Sequence, residues 1–139
     1  MLLSQSEKDA IKATWAKREK EFIANKQRYR NEALYNAMKV CKFLKTKYGV
    51  KEVFLYGSLA KDDCFDTHSD IDIYITGWNQ EDQFWIMFSQ VEAIAAPYPL
   101  SIVTESEASP SLKKIVYKEG RLLSWCDKNL LLFNPVWNW

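Results

Sequence analysis

Phe54-Leu55-Tyr56-Gly57-Ser58-Leu59-Ala60-Lys61, then Asp62 to Ser69, then Asp70-Ile71-Asp72-Ile73-Tyr74-Ile75-Thr76, is the stretch that decides the fold. Val50 to Tyr56 reads as a strand, and Gly57-Ser58 stops it abruptly. Ser58-Leu59-Ala60-Lys61 reads as a short helical turn, and Asp62 to Ser69 as a polar loop. Asp70 to Thr76 alternates apolar and polar residues with period 2, which predicts a second strand. Residues two apart on a strand share a face, so Asp70 and Asp72 point the same way. The other residues of that strand are largely apolar, so the pair does not read as ordinary solvated surface. Two like charges side by side repel and call for a cation.

Each part has a chemical use. Glycine lets a backbone approach a ligand closely, and successive N–H groups at a helical turn cradle a phosphate. The Ser58 hydroxyl adds a donor. Paired carboxylates suit Mg²⁺, which binds through one or two carboxylates plus substrate phosphates. Asp70 and Asp72 are therefore the candidate metal ligands and catalytic residues, and Gly57, Ser58, Lys61 and Ser69 the candidate nucleotide contacts.

Outward from this centre, residues 4 to about 48 contain no Gly or Pro and read as helix, with Ser4 or Ser6 as N-cap and Gly49 as C-cap. Ile11, Trp15, Phe22 and Tyr29 form a thin stripe. Leu34, Met38, Cys41, Leu44 and Tyr48 form a denser one. A break near Asn25 or Asn31 is expected between an outer and a better-buried helix. A continuous helix would be roughly 65 Å long, so the first half must fold back or project. After the Asp70 strand, Asn79 is the expected cap of a helix running to Ala95, ended by Pro97 and Pro99. Leu100 to Thr104 reads as a third strand. Ser109-Pro110 opens a further helix that Glu119-Gly120 ends, and Arg121-Leu122-Leu123 reads as a short edge strand. The order predicts an α/β fold, a small sheet flanked by helices with a long N-terminal helical arm. The expected division is an arm at 1–48, a core at 49–124 and an aromatic tail at 125–139 that carries Trp137 and Trp139.

The chain has 139 residues, enough for one domain and an arm. Residues 1–52 hold 13 Lys/Arg and 6 Asp/Glu, a sum of +7. Residues 53–139 hold 6 and 12, a sum of −6. This split suggests two functional surfaces. No run approaches the ~20 apolar residues of a membrane span. The start turns polar at Ser4, so no signal peptide is expected. Cys41, Cys64 and Cys126 show no paired spacing, which fits a reducing cytoplasm rather than a disulfide framework. His68, the one histidine, reads as a loop residue rather than a phosphate contact, and Cys64 lacks a partner that would activate it. The basic arm lacks the aromatic platform of a single-strand binder apart from Phe22 and Tyr29, so nucleic acid is not the expected partner.

Gly57-Ser58 and Ser69-Asp70-Ile71-Asp72 closely resemble the signature of the polymerase-beta-like nucleotidyltransferases, in their minimal nucleotidyltransferase branch. The resemblance spans roughly residues 50–123. It implies a small mixed sheet of the nucleotidyltransferase fold, ATP as substrate and Mg²⁺ as cofactor. Small members of the branch are antitoxins paired with a HEPN-domain ribonuclease toxin, and they silence it by transferring AMP to one of its tyrosines. The resemblance therefore implies a cytoplasmic AMP-transferring antitoxin with a HEPN toxin as partner; the basic arm, outside the matched stretch, is a candidate docking surface by its charge. Two departures stand out. Eleven residues separate Ser58 from Asp70, a loop longer than the branch's usual one. Where the family places a third carboxylate on the third strand, this chain has Ser101, with Glu105 a few residues beyond. That leaves two rival readings open: an antitoxin that neutralises by binding alone, and a transferase acting on RNA ends or small molecules.

Overall fold

The computed structural model describes residues 2–61, 65 and 69–124. The chain begins with α1 (Gln5–Tyr48), one unbroken helix of 44 residues. Ser4 caps it by accepting a hydrogen bond from Glu7 N–H at 3.2 Å, and Gly49 ends it at φ +67°. The expected break at Asn25 or Asn31 does not occur. Asn costs a helix only a few tenths of a kcal/mol relative to its neighbours, and the Asn25 side chain is satisfied on the helix surface by Arg28 at 2.9 Å.

The sheet consists of β1 (Glu52–Tyr56), β2 (Ile71–Thr76), β3 (Leu100–Thr104) and β4 (Arg121–Leu123), in the order β3-β2-β1-β4. β1 runs antiparallel to β2 and to β4, and β2 runs parallel to β3. A parallel pair needs a crossover, here supplied by α2 (Phe84–Ala95). α2 follows a single turn at Glu81–Gln83, with Gln83 rather than the expected Asn79 at its N-cap position. The last helix, α3 (Pro110–Glu119), starts as the sequence predicts: Ser109 accepts from Leu112 N–H at 3.1 Å and Pro110 follows it.

The two faces of the sheet differ. Val53, Leu55, Ile71, Ile73, Ile75 and Ile102 belong to the main core, shared with α2 and the second half of α1. Leu34, Ala37, Cys41 and Leu44 of α1 are fully buried there. Asn36 is buried with them and donates to the carbonyls of Ala95 and Ala96, which satisfies the end of α2. The opposite face carries Phe54 and Tyr74 and is covered by α3 through Val116 and Leu112. Every described residue from Leu2 to Asn25 is exposed, so the first half of α1 projects from this core. Among the described residues no helix is long and apolar enough to cross a membrane.

Candidate functional site

Strand register decides which side chains meet. Asp72 pairs with Tyr56 of β1 on one side and with Ser101 of β3 on the other. Partners in register share a face, so Tyr56, Asp72 and Ser101 form a row across the end of the sheet that α3 covers. That end gathers the last residue of β1 and the opening residues of β2 and β3.

Gly57 lies directly on this row. Its φ is +72°, a conformation that disfavours any residue with a β-carbon. A β-carbon built there would stand 2.3 Å from Asp72 Oδ2. The glycine is thus required twice, by the backbone turn and by the carboxylate seated against it. Gly57 to Ala60 form one tight turn, closed by Lys61 N–H to the Ser58 carbonyl at 3.2 Å. Two arginines to which the sequence reading gives no part in the site hold its far end. Arg30 of α1 approaches the Leu59 carbonyl at 3.5 Å, and Arg121 of β4 approaches that of Ala60 at 3.4 Å. Nothing in the local sequence signals this, because both come from distant elements. Tyr56 was also missed, although strand alternation from Phe54 places it on the Asp72 face.

Burial and the neighbouring Asp70 push the Asp72 carboxyl up to about 6. Asp70 itself is exposed, just ahead of β2. Burial, then Asp72, raises Tyr56. A half-buried carboxylate stressed by a like charge, with a bare glycine backbone against it, is the donor set a hard divalent cation relieves. The two carboxylates therefore fit Mg²⁺ with phosphate oxygens completing its shell. Among the described residues no third His, Cys, Asp or Glu joins them.

The remaining candidates separate. Ser69 is half-buried beside Asp70. Lys61 turns toward the end of α3 and meets Glu119 at 3.7 Å, both side chains about half exposed. Glu105 lies past the opposite end of β3, where its N–H bonds the Ile75 carbonyl. At ~3.3 Å per residue, four residues put it about 13 Å along the strand from Ser101. The acid does not replace Ser101 beside Asp72. Cys41 is buried, its thiol raised to about 11 by burial, so it is an inert core residue. Cys64, His68 and the tail at 125–139 lie outside the described residues.

Comparison with known proteins agrees with this architecture. No curated protein matches the chain by sequence. Among solved structures, the chain is similar in fold to two mutants of the toxin–antitoxin pair MntA-HpeT. For one the TM-score is 0.53 at 19% identity, covering 73% of this chain and 82% of that one. For the other it is 0.50 at 22%, covering 71% and 80%. A structure of tri-AMPylated Shewanella oneidensis HEPN toxin in complex with MNT antitoxin also matches, with a TM-score of 0.48 at 20% identity, covering 76% and 82%. The family described as polymerase beta, nucleotidyltransferase matches residues 38–129, which take in the whole sheet, the Gly57 turn and both aspartates; the chain belongs to that family.

Proposed function

We propose that this chain is an antitoxin that transfers AMP from ATP to a tyrosine hydroxyl of a partner HEPN ribonuclease toxin. The observation that carries the reading is the Asp72 carboxylate seated against Gly57 at the end of the sheet, with Asp70 beside it. Family membership supports nucleotidyl transfer. The fold neighbours that are toxin–antitoxin pairs support a protein partner.

In this reading the Gly57–Ser58 backbone and the Ser58 hydroxyl orient the triphosphate. Asp70 and Asp72 would hold Mg²⁺, which when bound would neutralise phosphate charge. The tyrosine oxygen bonds to the α-phosphorus as the bond to the β-phosphate breaks, pyrophosphate leaves, and the proton passes to water. Such transfers rest mainly on positioning and charge neutralisation, so few reactive side chains are needed. Arg30 and Arg121 keep the turn fixed while the phosphates bind.

Ser101 favours a second reading. A hydroxyl in register with Asp72 orders a water but does not take a proton as a carboxylate does. The rival is an antitoxin that keeps the nucleotide site and neutralises its toxin by occlusion. Incubation with ATP labelled at the α-phosphate, Mg²⁺ and the chain's cognate HEPN toxin separates the two. Transfer predicts label on a toxin tyrosine that tracks loss of ribonuclease activity. An inhibited toxin without label overturns transfer in favour of occlusion.

A further inference from the structure

The projecting half of α1 carries an ordered face. At 100° per residue, Ile11, Trp15, Phe22 and Tyr29 fall within an arc of about 40°. Ile11 is 42% exposed, Trp15 69% and Phe22 68%. Helices do not leave such a stripe in water without a use, and a lone helix gains most of its stability from packing that stripe. The same spacing places Lys8, Arg18 and Lys26 on this face, between and beside the apolar residues. The family match begins at residue 38, so this segment is an addition to the nucleotidyltransferase core.

The stripe leads into the domain. Tyr29 stacks on Phe65 with ring centroids 5.4 Å apart and meets Tyr98 edge-on at 4.7 Å. Phe22, Asn25, Arg28, Tyr29 and Phe65 line a groove of about 650 Å³ at the root of the arm. Phe65 belongs to the loop between the Gly57 turn and Asp70. A partner laid along the arm therefore ends beside Phe65, in the segment that joins the Gly57 turn to Asp70.

We propose that this face docks an acidic amphipathic helix of the acceptor protein; the acceptor's identity rests on the transfer reading above, whereas the surface does not. The apolar seam sets i, i+4, i+7 contacts of the helix-in-groove kind. Lys8, Arg18 and Lys26 select Asp or Glu beside the partner's own apolar stripe. A second copy laid parallel and in register would set these cations against one another. Nucleic acid fits poorly, because Glu7, Asp9, Glu19, Glu21 and Glu32 interrupt the basic run.

The test uses the full chain and the cognate HEPN toxin of the transfer reading. Trp15→Ala and Phe22→Ala are each expected to weaken binding ~10-fold or more. Arg18→Glu should slow association and flatten its salt dependence. Amides of residues 11–26 should exchange rapidly in the free chain and slowly in the complex. All three positions are exposed on a helix, so circular dichroism should show intact folding. Affinity unchanged by all three substitutions overturns the proposal. So does an arm already protected in the free chain, whether lost on dilution of a dimer or on truncation at residue 124. Preferential capture of an RNA oligonucleotide by the arm, with toxin affinity unaffected, overturns it too. Label on the toxin at unaltered affinity defeats docking and leaves transfer standing. A seam-dependent complex that is never labelled does the reverse.

Discussion

A β-carbon on Gly57 would stand 2.3 Å from Oδ2 of Asp72. No side chain fits in that space unless the carboxylate moves, and the φ of +72° adds a backbone cost of roughly 1–2 kcal/mol for any other residue. Gly57→Ala is therefore expected to lower unfolding stability by about that amount and to reduce AMP transfer at least 100-fold, because a 1 Å displacement of a positioned group has that scale of effect. Urea unfolding and the labelled-ATP assay read the two losses separately. A variant that transfers at the wild-type rate would show that Asp72 does not need its present seat.

The Asp72 carboxyl is held at about 6 against an ordinary value of 3.8, burial being the larger cause and Asp70 the second. Between these values the folded chain binds more protons than the unfolded one, so this group's contribution is fullest below pH ~4 and is lost as pH rises through 6. Asp72→Asn should match wild-type stability near pH 4. At pH 7, without metal, it should be more stable by ~1 kcal/mol, a figure reduced for a carboxylate that is partly solvated. Mg²⁺ should narrow that gap by stabilising only the wild type. Paired urea titrations at the two pH values, with and without Mg²⁺, check this. A less stable Asn variant at pH 7 would contradict it. Asp70→Asn combined with Asp72→Asn should abolish Mg²⁺-dependent transfer and leave the circular dichroism unchanged.

The two halves of α1 should respond differently to damage. Removing residues 1–28 deletes no side chain from the core, since everything described up to Asn25 is exposed. Melting should shift by only a few degrees, and ATP affinity should be retained while partner affinity falls. Leu34→Ala instead opens a hole at a fully buried position and should cost about 2–5 kcal/mol. Thermal melts of the two variants make the comparison. Equal destabilisation would mean that the arm packs on the domain.

Much of this was legible in the sequence, and the reason is periodicity. β2 alternates cleanly, α3 carries both its cap and its proline, and Gly49, Gly57 and Gly77 mark turns that need positive φ. The Asp-x-Asp pair stood out because its strand is otherwise apolar. The continuity of α1 was harder, because a stripe that thins from Leu34 back to Ile11 looks like two helices when it is one helix leaving its core. The groove at the arm's root was not readable at all. It depends on Tyr29 and Phe65, which are 36 residues apart and meet only through the fold. The same holds for Arg30 and Arg121 converging on one turn.

Ser101 gives the sharpest test of chemistry. It is in register with Asp72, half-buried, and on the same face, while Leu100 and Ile102 pack into the opposite core. Ser101→Asp would place a third carboxylate beside one already pushed up to about 6 by burial and, second, by Asp70. Without metal the variant should be less stable than wild type above pH 6, and Mg²⁺ should restore more stability to it than to wild type. If the wild type is slow for want of a base, the added carboxylate should raise transfer by up to 10²–10⁴-fold, the usual worth of a positioned general base. Single-turnover transfer with both ATP and toxin saturating measures this without interference from docking. A brisk wild type that the substitution fails to improve would mean that the acceptor's proton goes elsewhere. Glu105 is a poor substitute at about 13 Å along the strand, so the next group to replace would then be Tyr56, which shares the row with Asp72.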